Sequence, residues 1–156
     1  MSVVLLLASA GACTLAGRPS IESSQQRLQA AMLVANPNAV VGQPFEVTFE
    51  VTNVSSTTVE ACFGEAFLVV FRTAREAQGW AETVSHPDCV QRFRLEPGEE
   101  AAHVYKAQVP VVSIGPARLE GGVQIVDPEE CDKYGCDRGW VESSTHPEVV
   151  VAGSGA

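Results

Sequence analysis

Residues 41–59 read VGQPFEVTFEVTNVSSTTV, and this stretch decides the fold class. From Phe45 to Val51 an apolar side chain occupies every second position, with Glu or Thr between them. A period of two places alternate side chains on opposite faces of a β-strand, so one face is apolar and the other polar. Turn-forming residues stand at 42–44 and again from Asn53 onward. The pattern predicts a central strand of a β-sandwich, with its apolar face in the core.

Short apolar segments continue along the rest of the chain, and turn signals separate them. The clearest turns are Glu-Pro-Gly-Glu at 96–99 and Ile-Gly-Pro at 114–116, since proline fixes φ and glycine accepts positive φ. We expect a short helix at 74–78 and an acidic loop at 127–139. The predicted strands are 28–35, 45–52, 59–63, 67–72, 90–95, 101–109, 118–126 and 148–151. This spacing predicts an all-β fold, an Ig-like antiparallel β-sandwich of seven to eight strands.

Composition limits the classes of protein to which the chain can belong. Its 156 residues suffice for one domain with a substantial core, and 46% apolar with 19% charged residues is typical of a globular chain. The net charge is −9. Nucleic acids and anionic membrane surfaces are bound by basic patches, so this balance argues against both as partners.

The N-terminus reads MSVVLLLASAGAC, an apolar run followed by small residues up to Cys13. This is the pattern of a secretory signal, and it is shorter than the ~20 apolar residues that span a bilayer. The small residues before Cys13 resemble the bacterial lipobox, in which the cysteine is acylated, for example with palmitate. The resemblance implies a lipid-anchored envelope protein. Because Thr14 stands where Asp would signal inner-membrane retention, it favours the periplasmic face of the outer membrane in a diderm organism. The alternative is a plain signal peptide and a secreted chain.

Residues 14–29 contain Ser, Gln and Gly without sustained periodicity, as flexible tethers do. We therefore divide the chain into a signal peptide at 1–12, a lipidated cysteine and tether at 13–29, and an Ig-like domain at 30–152. The bilayer is then one partner, reached through acylated Cys13.

Five cysteines occur, and lipidation of Cys13 leaves an even number. An even number of cysteines in an exported chain implies disulfides. The four remaining cysteines allow three pairings. Because Cys131 and Cys136 are close in sequence, we expect them to pair with each other, which leaves Cys62 with Cys89. A zinc site is disfavoured because Cys62 and Cys89 are isolated and the compartment is oxidising. We expect no metal and no cofactor.

Two motifs carry a family resemblance. VTNVSSTTV at 51–59 and LEPGE at 95–99 resemble Ig-like domains of bacterial envelope proteins, and they are similar to the BsuPI-type intracellular proteinase inhibitor domain. The resemblance covers about residues 33–108. It implies an Ig-like fold and suggests proteinase inhibition. FGEAF at 63–67 departs from the Ser-Gly-Gln-x-x-Asp-Phe stretch of that family, and the export signal departs from its intracellular location.

Catalysis is not indicated by the sequence. Three histidines occur, at 86, 103 and 146, but no Gly-x-Ser-x-Gly elbow accompanies them. The carboxylates of 127–137 do not follow the EF-hand spacing, so we interpret them as solvated loop charge. We expect a protein that is not an enzyme.

Aromatic and arginine side chains in the long loops are the candidate partner-binding residues. Tyr134 and Trp140 flank Arg138, and such residues anchor interfaces. Trp80 lies in the other long loop. The alternative for both tryptophans is that they cap the core. The sequence thus suggests a non-enzymatic exported lipoprotein whose Ig-like domain presents loops for an envelope protein or polymer; an exported proteinase inhibitor of BsuPI type is the alternative.

Overall fold

The computed structural model describes residues 26–82, 88–132 and 135–154, and for residues 129–132 and 135–138 it describes the backbone alone. The predicted signal peptide and most of the predicted tether, Cys13 with its lipid, and Tyr134 all lie outside the described residues. The side chain of Arg138 lies outside them as well.

The described residues form ten β-strands and no helix, which confirms the all-β prediction. The strands are β1 Leu28–Leu33, β2 Asn38–Val40, β3 Pro44–Asn53, β4 Val59–Arg72, β5 Ala77–Glu82, β6 Cys89–Leu95, β7 Glu100–Gln108, β8 Gly115–Asp132, β9 Gly135–Glu142 and β10 Glu148–Ala152.

Within this described part the strands form two sheets. The smaller sheet has the order β1-β3-β7; the larger has the order β2-β10-β8-β4-β5, with β6 also paired to β4 and β9 to β8. β10 and β2 run parallel, and the other described pairs are antiparallel. Two mainly antiparallel sheets with non-sequential neighbours are the arrangement of Ig-like sandwiches, so the predicted sandwich is confirmed.

The core lies between the two sheets, and β3 supplies one wall of it. Val47, Phe49 and Val51 are fully buried, as the alternation in residues 41–59 predicts. The larger sheet supplies the opposite wall, where the ring of Phe71 meets that of Phe45 edge-on with centroids 5.7 Å apart. Edge-on aromatic contacts of this kind are favourable beyond the area that they bury.

Strand β4 replaces two predicted strands, 59–63 and 67–72. Its pairing with β8 shifts register between Phe63 and Phe67, which marks a β-bulge. The residues between them, Gly-Glu-Ala, break the apolar alternation without ending the strand. Tyr105 supports the bulge, because its hydroxyl donates a 2.7 Å hydrogen bond to the carbonyl of Gly64. Burial raises the pKa of this phenol well above its usual range.

The prediction of an acidic loop at 127–139 is wrong. Strands β8 and β9 continue through it as a hairpin, with Asp132 paired to Gly135 and Cys131 to Cys136. The many carboxylates and the glycine resemble loop composition, but backbone pairing between the strands overrides that local preference. Trp140 accordingly lies in a strand rather than in a loop.

The prediction of a short helix at 74–78 is also wrong. A turn closes there, with the amide of Thr73 bonded to the carbonyl of Glu76 at 2.8 Å. β5 then pairs antiparallel with β4 from Ala77, so Trp80 too lies in a strand. Pairing against an existing edge favours the strand over a helix that nothing would bury.

A disulfide joins Cys62 to Cys89, which confirms that part of the predicted pairing. It connects β4 to the first residue of β6, with 5.3 Å between the Cα atoms. Cys62 is completely buried and Cys89 is half-buried, so the bridge joins a core position to a partly exposed one.

Strand β1 is held in place by the side chains of Arg27, which precedes it, and Thr145, which follows β9. The guanidinium of Arg27 donates to the carbonyls of Thr57 and Thr58, at 3.3 and 2.6 Å. On the outer side of β1, the hydroxyl of Thr145 accepts from the amide of Met32 and donates to its carbonyl, both at 2.8 Å. The outer edge of β1 is therefore partly covered by the segment after β9.

Candidate functional site

A groove of about 270 Å³ opens on the outer face of the larger sheet, and we call it the Trp140 groove. Strands β4, β8 and β9 lie side by side there, with Leu68 paired to Gly122 and Gly122 to Glu142. Paired residues in a sheet point to the same side, so this register brings together side chains that are distant in sequence. The lining residues are Leu68, Val70, Glu120, Gly121, Trp140, Glu142, Ser143 and His146.

The indole of Trp140 lies across strand β8 at Gly122. A Cβ atom at position 122 would stand 2.8 Å from the indole Nε1 and 3.0 Å from Cε2. The ring can take this position only because residue 122 has no side chain. Trp140 keeps 38% of its surface exposed, so it lies on the sheet rather than capping the core.

The two carboxylates of the groove differ in their surroundings. Glu120 accepts two hydrogen bonds of 2.8 Å from the guanidinium of Arg72, and Arg118 approaches it at 3.9 Å. The hydrogen bonds from Arg72 lower the pKa of the Glu120 carboxyl. The carboxylate of Glu142, by contrast, forms no hydrogen bond or ion pair with any residue that the structure describes. Its register neighbour Gly122 supplies no side chain to oppose its charge.

Trp80 does not join Trp140. It is half-buried against the core, and its indole Nε1 has no hydrogen-bond partner in the described part of the chain. A separate, more open pocket of about 350 Å³ lies beside it, lined by Gly42, Pro44, Trp80, Lys106, Ala107 and Gln108. The core-capping alternative therefore fits Trp80 better than Trp140.

The backbone of Arg138 pairs with Val126, two residues before Trp140 on the same strand. The groove also contains Leu68, Val70, Glu120 and Glu142, which are not among the residues predicted from the sequence. No local signal marks these residues, because only the register of β4, β8 and β9 brings them beside Trp140.

His103 is packed among aromatic rings rather than placed for chemistry. Its ring stacks on Phe63 at 5.7 Å and meets Tyr105 edge-on at 4.7 Å, and Nδ1 lies 2.8 Å from the Gln91 Oε1. Partial burial lowers its pKa. Among the described residues, no group of three or more His, Cys, Asp or Glu side chains is placed to hold a metal ion.

The described part of the chain contains no helix with the length and apolar character needed to cross a membrane.

Comparison with known proteins gives no match to a protein-family model and none to a curated protein. Solved structures with a similar chain path include an ApaA protein from Bordetella pertussis, at 15% identity and a TM-score of 0.44, covering 80% of this chain and 93% of that one. The sporulation control protein Spo0M from Bacillus subtilis has 16% identity and a TM-score of 0.41, covering 80% and 49%.

A CARDB domain from Pyrococcus furiosus, solved in complex with di-metal ions, has 16% identity and a TM-score of 0.35, covering 80% of this chain and 91% of that one. Similarity at this level carries no inference about function.

Proposed function

We propose that this chain is a non-enzymatic, exported and lipid-anchored Ig-like domain that binds an envelope protein or polymer through the Trp140 groove. The observation that carries the proposal is the large aromatic side chain of Trp140, held exposed on a rigid sheet beside Leu68 and Val70. Tryptophan is over-represented among the residues that dominate binding energy at interfaces, because it buries a large area with few rotatable bonds.

This proposal differs from the expectation of loop-mediated binding in where contact occurs. Trp140 lies within β9, and its neighbours come from β4 and β8. Side chains on paired strands are held more precisely than side chains on loops, which suits a preformed binding surface.

The binding proposal is tested by crosslinking the full-length chain in envelope extract and comparing variants. We expect a crosslinked product with the unaltered chain and its loss in Trp140→Ala. Val104→Ala is the matched control, since Val104 is an exposed apolar residue, 52% accessible, on the smaller sheet. A product that survives in Trp140→Ala as well as in Val104→Ala would exclude the groove as the binding surface. Tyr134→Ala and Arg138→Ala extend the test to the other two candidate residues that the sequence suggests near Trp140.

The lipid anchor has a separate test. The apolar run before Cys13 and the small residues next to it support acylation. We expect the intact mass of the membrane-bound protein to exceed that of the processed chain by a diacylglycerol group on Cys13. A Cys13→Ser chain should leave the membrane fraction. If that variant stays membrane-bound, Cys13 is not the anchor.

An exported proteinase inhibitor of BsuPI type is the second candidate, and the motifs at 51–59 and 95–99 support it. An excess of purified protein should then slow at least one member of a panel of serine proteases. If the whole panel retains its activity, this candidate is removed without affecting the first.

A further inference from the structure

We propose that the Trp140 groove receives a lysine or arginine side chain from a basic segment of a partner protein. This inference rests on the proposed function, because it names the chemistry of the partner at the same groove.

The first argument is the placement of an aromatic face beside a carboxylate. Trp140 and Glu142 are two residues apart on β9 and alternate with the buried Val141, so both side chains point outward. Side chains at this separation along a strand start about 7 Å apart. A cation is attracted to an aromatic face within about 6 Å of its centre. One positive group over the indole of Trp140 can therefore also contact the carboxylate of Glu142.

The second argument is charge. No lysine or arginine lines the groove among the described side chains. Among the described side chains, Arg72 and Arg118 both lie against Glu120, and the charge of His146, which lines the groove, also acts on that carboxylate. Glu142 is thus the carboxylate of the groove that no cation of the described chain neutralises. With a net charge of −9 over the whole chain, a basic partner is also favoured by long-range attraction.

The third argument is the apolar floor. Leu68 and Val70 are half-buried and face the groove. A lysine or arginine side chain combines an aliphatic stem with a charged end, and such side chains place the stem on apolar surface while the charge contacts polar groups. The groove offers an apolar surface at Leu68 and Val70 and a carboxylate at Glu142. A neutral glycan stacked on Trp140 could donate hydroxyl hydrogen bonds to Glu142, but it carries no charge opposite to that of the carboxylate.

The test uses the full-length chain and a fluorescein-labelled hexalysine peptide, with binding followed by fluorescence anisotropy. We expect Glu142→Gln to weaken binding about threefold, as for a solvent-exposed ion pair. Trp140→Leu should weaken it about tenfold, because it removes the aromatic face. Glu50→Gln is the matched control; it removes one negative charge from the smaller sheet and should leave binding within twofold of the unaltered chain. Thermal unfolding of each variant checks that the fold is kept.

The salt dependence gives a second measurement. Binding to the unaltered chain should weaken with added sodium chloride, and the difference between the chain and Glu142→Gln should shrink, because salt screens exposed charges. Equal affinity of Glu142→Gln and Glu50→Gln for hexalysine at low salt would overturn the inference. So would unchanged binding by Trp140→Leu.

Failure of this inference is distinguishable from failure of the proposed function. If the crosslinked envelope product requires Trp140 while its yield is the same in Glu142→Gln, the groove binds a partner that is not cationic. The inference is then wrong and the proposed function stands. If the product does not require Trp140, the groove is not the binding surface and both fail.

Discussion

The side-chain amide of Asn53 donates a 3.0 Å hydrogen bond to the carbonyl of Leu95, in a position where Asn53 is only 1% exposed. The same amide donates to the carbonyl of Thr57 at 2.8 Å, and its oxygen accepts from the amide of Ser55 at 3.0 Å. The backbone of Gly98 bonds to the carbonyl of Asn53 at 2.8 Å. The motifs at 51–59 and 95–99 are therefore one structural unit centred on Asn53.

Replacing Asn53 should destabilise the fold strongly. Asn53→Ala removes a donor from the carbonyl of Leu95 in a poorly solvated position and leaves the carbonyl of Thr57 with its bonds from Arg27 and Ser55 alone. We expect this to cost about 2–4 kcal/mol of unfolding free energy. Urea unfolding measures the loss. Asn38→Ala is the control, because the exposed side chain of Asn38 bonds only to the nearby Asn36 among the described residues. We expect a change below about 0.5 kcal/mol. Equal losses in the two variants would contradict the role of Asn53.

The Cys62–Cys89 bridge should contribute a large share of the stability. It closes a loop with a sequence separation of 27, and chain-entropy estimates for such a loop give about 3–4 kcal/mol. We expect the double variant Cys62→Ala/Cys89→Ala to lose at least that amount in urea unfolding under oxidising conditions. Reductant should then cause a smaller further change in the double variant than in the unaltered chain. A loss below about 1 kcal/mol would show that the bridge is not a main source of stability.

Cys131 and Cys136 remain a predicted disulfide. Their backbones are register partners in the β8–β9 hairpin, and directly opposed residues in an antiparallel pair lie at Cα separations that a disulfide can span. Peptide mapping without reduction should recover these two cysteines in one linked peptide. A free thiol on either residue would refute the pairing.

Gly121 should tolerate no side chain. Its φ is +155°, and a Cβ atom there would stand 2.0 Å from the carbonyl oxygen of Leu68. We expect Gly121→Ala to cost about 3–5 kcal/mol from backbone strain and overpacking together. Gly42→Ala separates the two causes, since Gly42 has a φ of +77° but open space around it. It should lose about 1–2 kcal/mol. Denaturant unfolding of both variants makes the comparison, and a smaller loss for Gly121→Ala would contradict it.

Glu76 should titrate below its ordinary pKa of 4.5 because of Ser113. The hydroxyl and the backbone amide of Ser113 both donate to the Glu76 carboxylate, at 2.6 and 2.7 Å, and both bonds favour the charged form. NMR titration of Ser113→Ala should therefore show a pKa for Glu76 closer to the ordinary value, still lowered by the remaining amide.

The sign of the accompanying effect on stability follows from the direction of the shift. Because the pKa of Glu76 is lower in the folded state, its contribution is fully present above pH 4.5 and is lost as the pH falls through the folded value. Ser113→Ala should thus be less sensitive to acid than the unaltered chain over that interval. Ser55→Ala is the control hydroxyl. A Glu76 pKa that is the same in all three proteins would refute the assignment.

The sequence predicts the fold where side-chain alternation is regular. Phe45 to Val51 are a correct example, because one face of β3 is core and the other is exposed or half-buried. The prediction fails where pairing is set by a partner strand rather than by local pattern. Gly64 to Ala66 interrupt the alternation inside β4, and residues 127–132 and 135–139 have the composition of a loop but belong to the paired strands β8 and β9. In both places tertiary pairing overrides local preference.

For the same reason, only part of the candidate site could be predicted from the sequence. Trp140 could be singled out as an aromatic side chain near Arg138, but its neighbours could not. Leu68, Gly122 and Glu142 become adjacent only through the register of three strands, which no local pattern specifies. Nothing in the sequence indicates that the indole lies over Gly122 rather than over the adjacent Gly121.

The hydrogen bonds between Arg27 and the loop after β3 have a mechanical consequence. Its carbonyl accepts from the amide of Val54 at 2.9 Å, and its guanidinium is bonded to Thr57 and Thr58. Tension on the chain before Arg27 therefore passes first into the loop between β3 and β4. β1 is paired with β3 over six residues, from Leu28 to Leu33. The bonds of Arg27 and these strand pairs must therefore break before the force can pull β1 away from the core. A pull at the N-terminal end is thus borne first by the bonds that Arg27 makes to the loop between β3 and β4, before β1 itself is loaded.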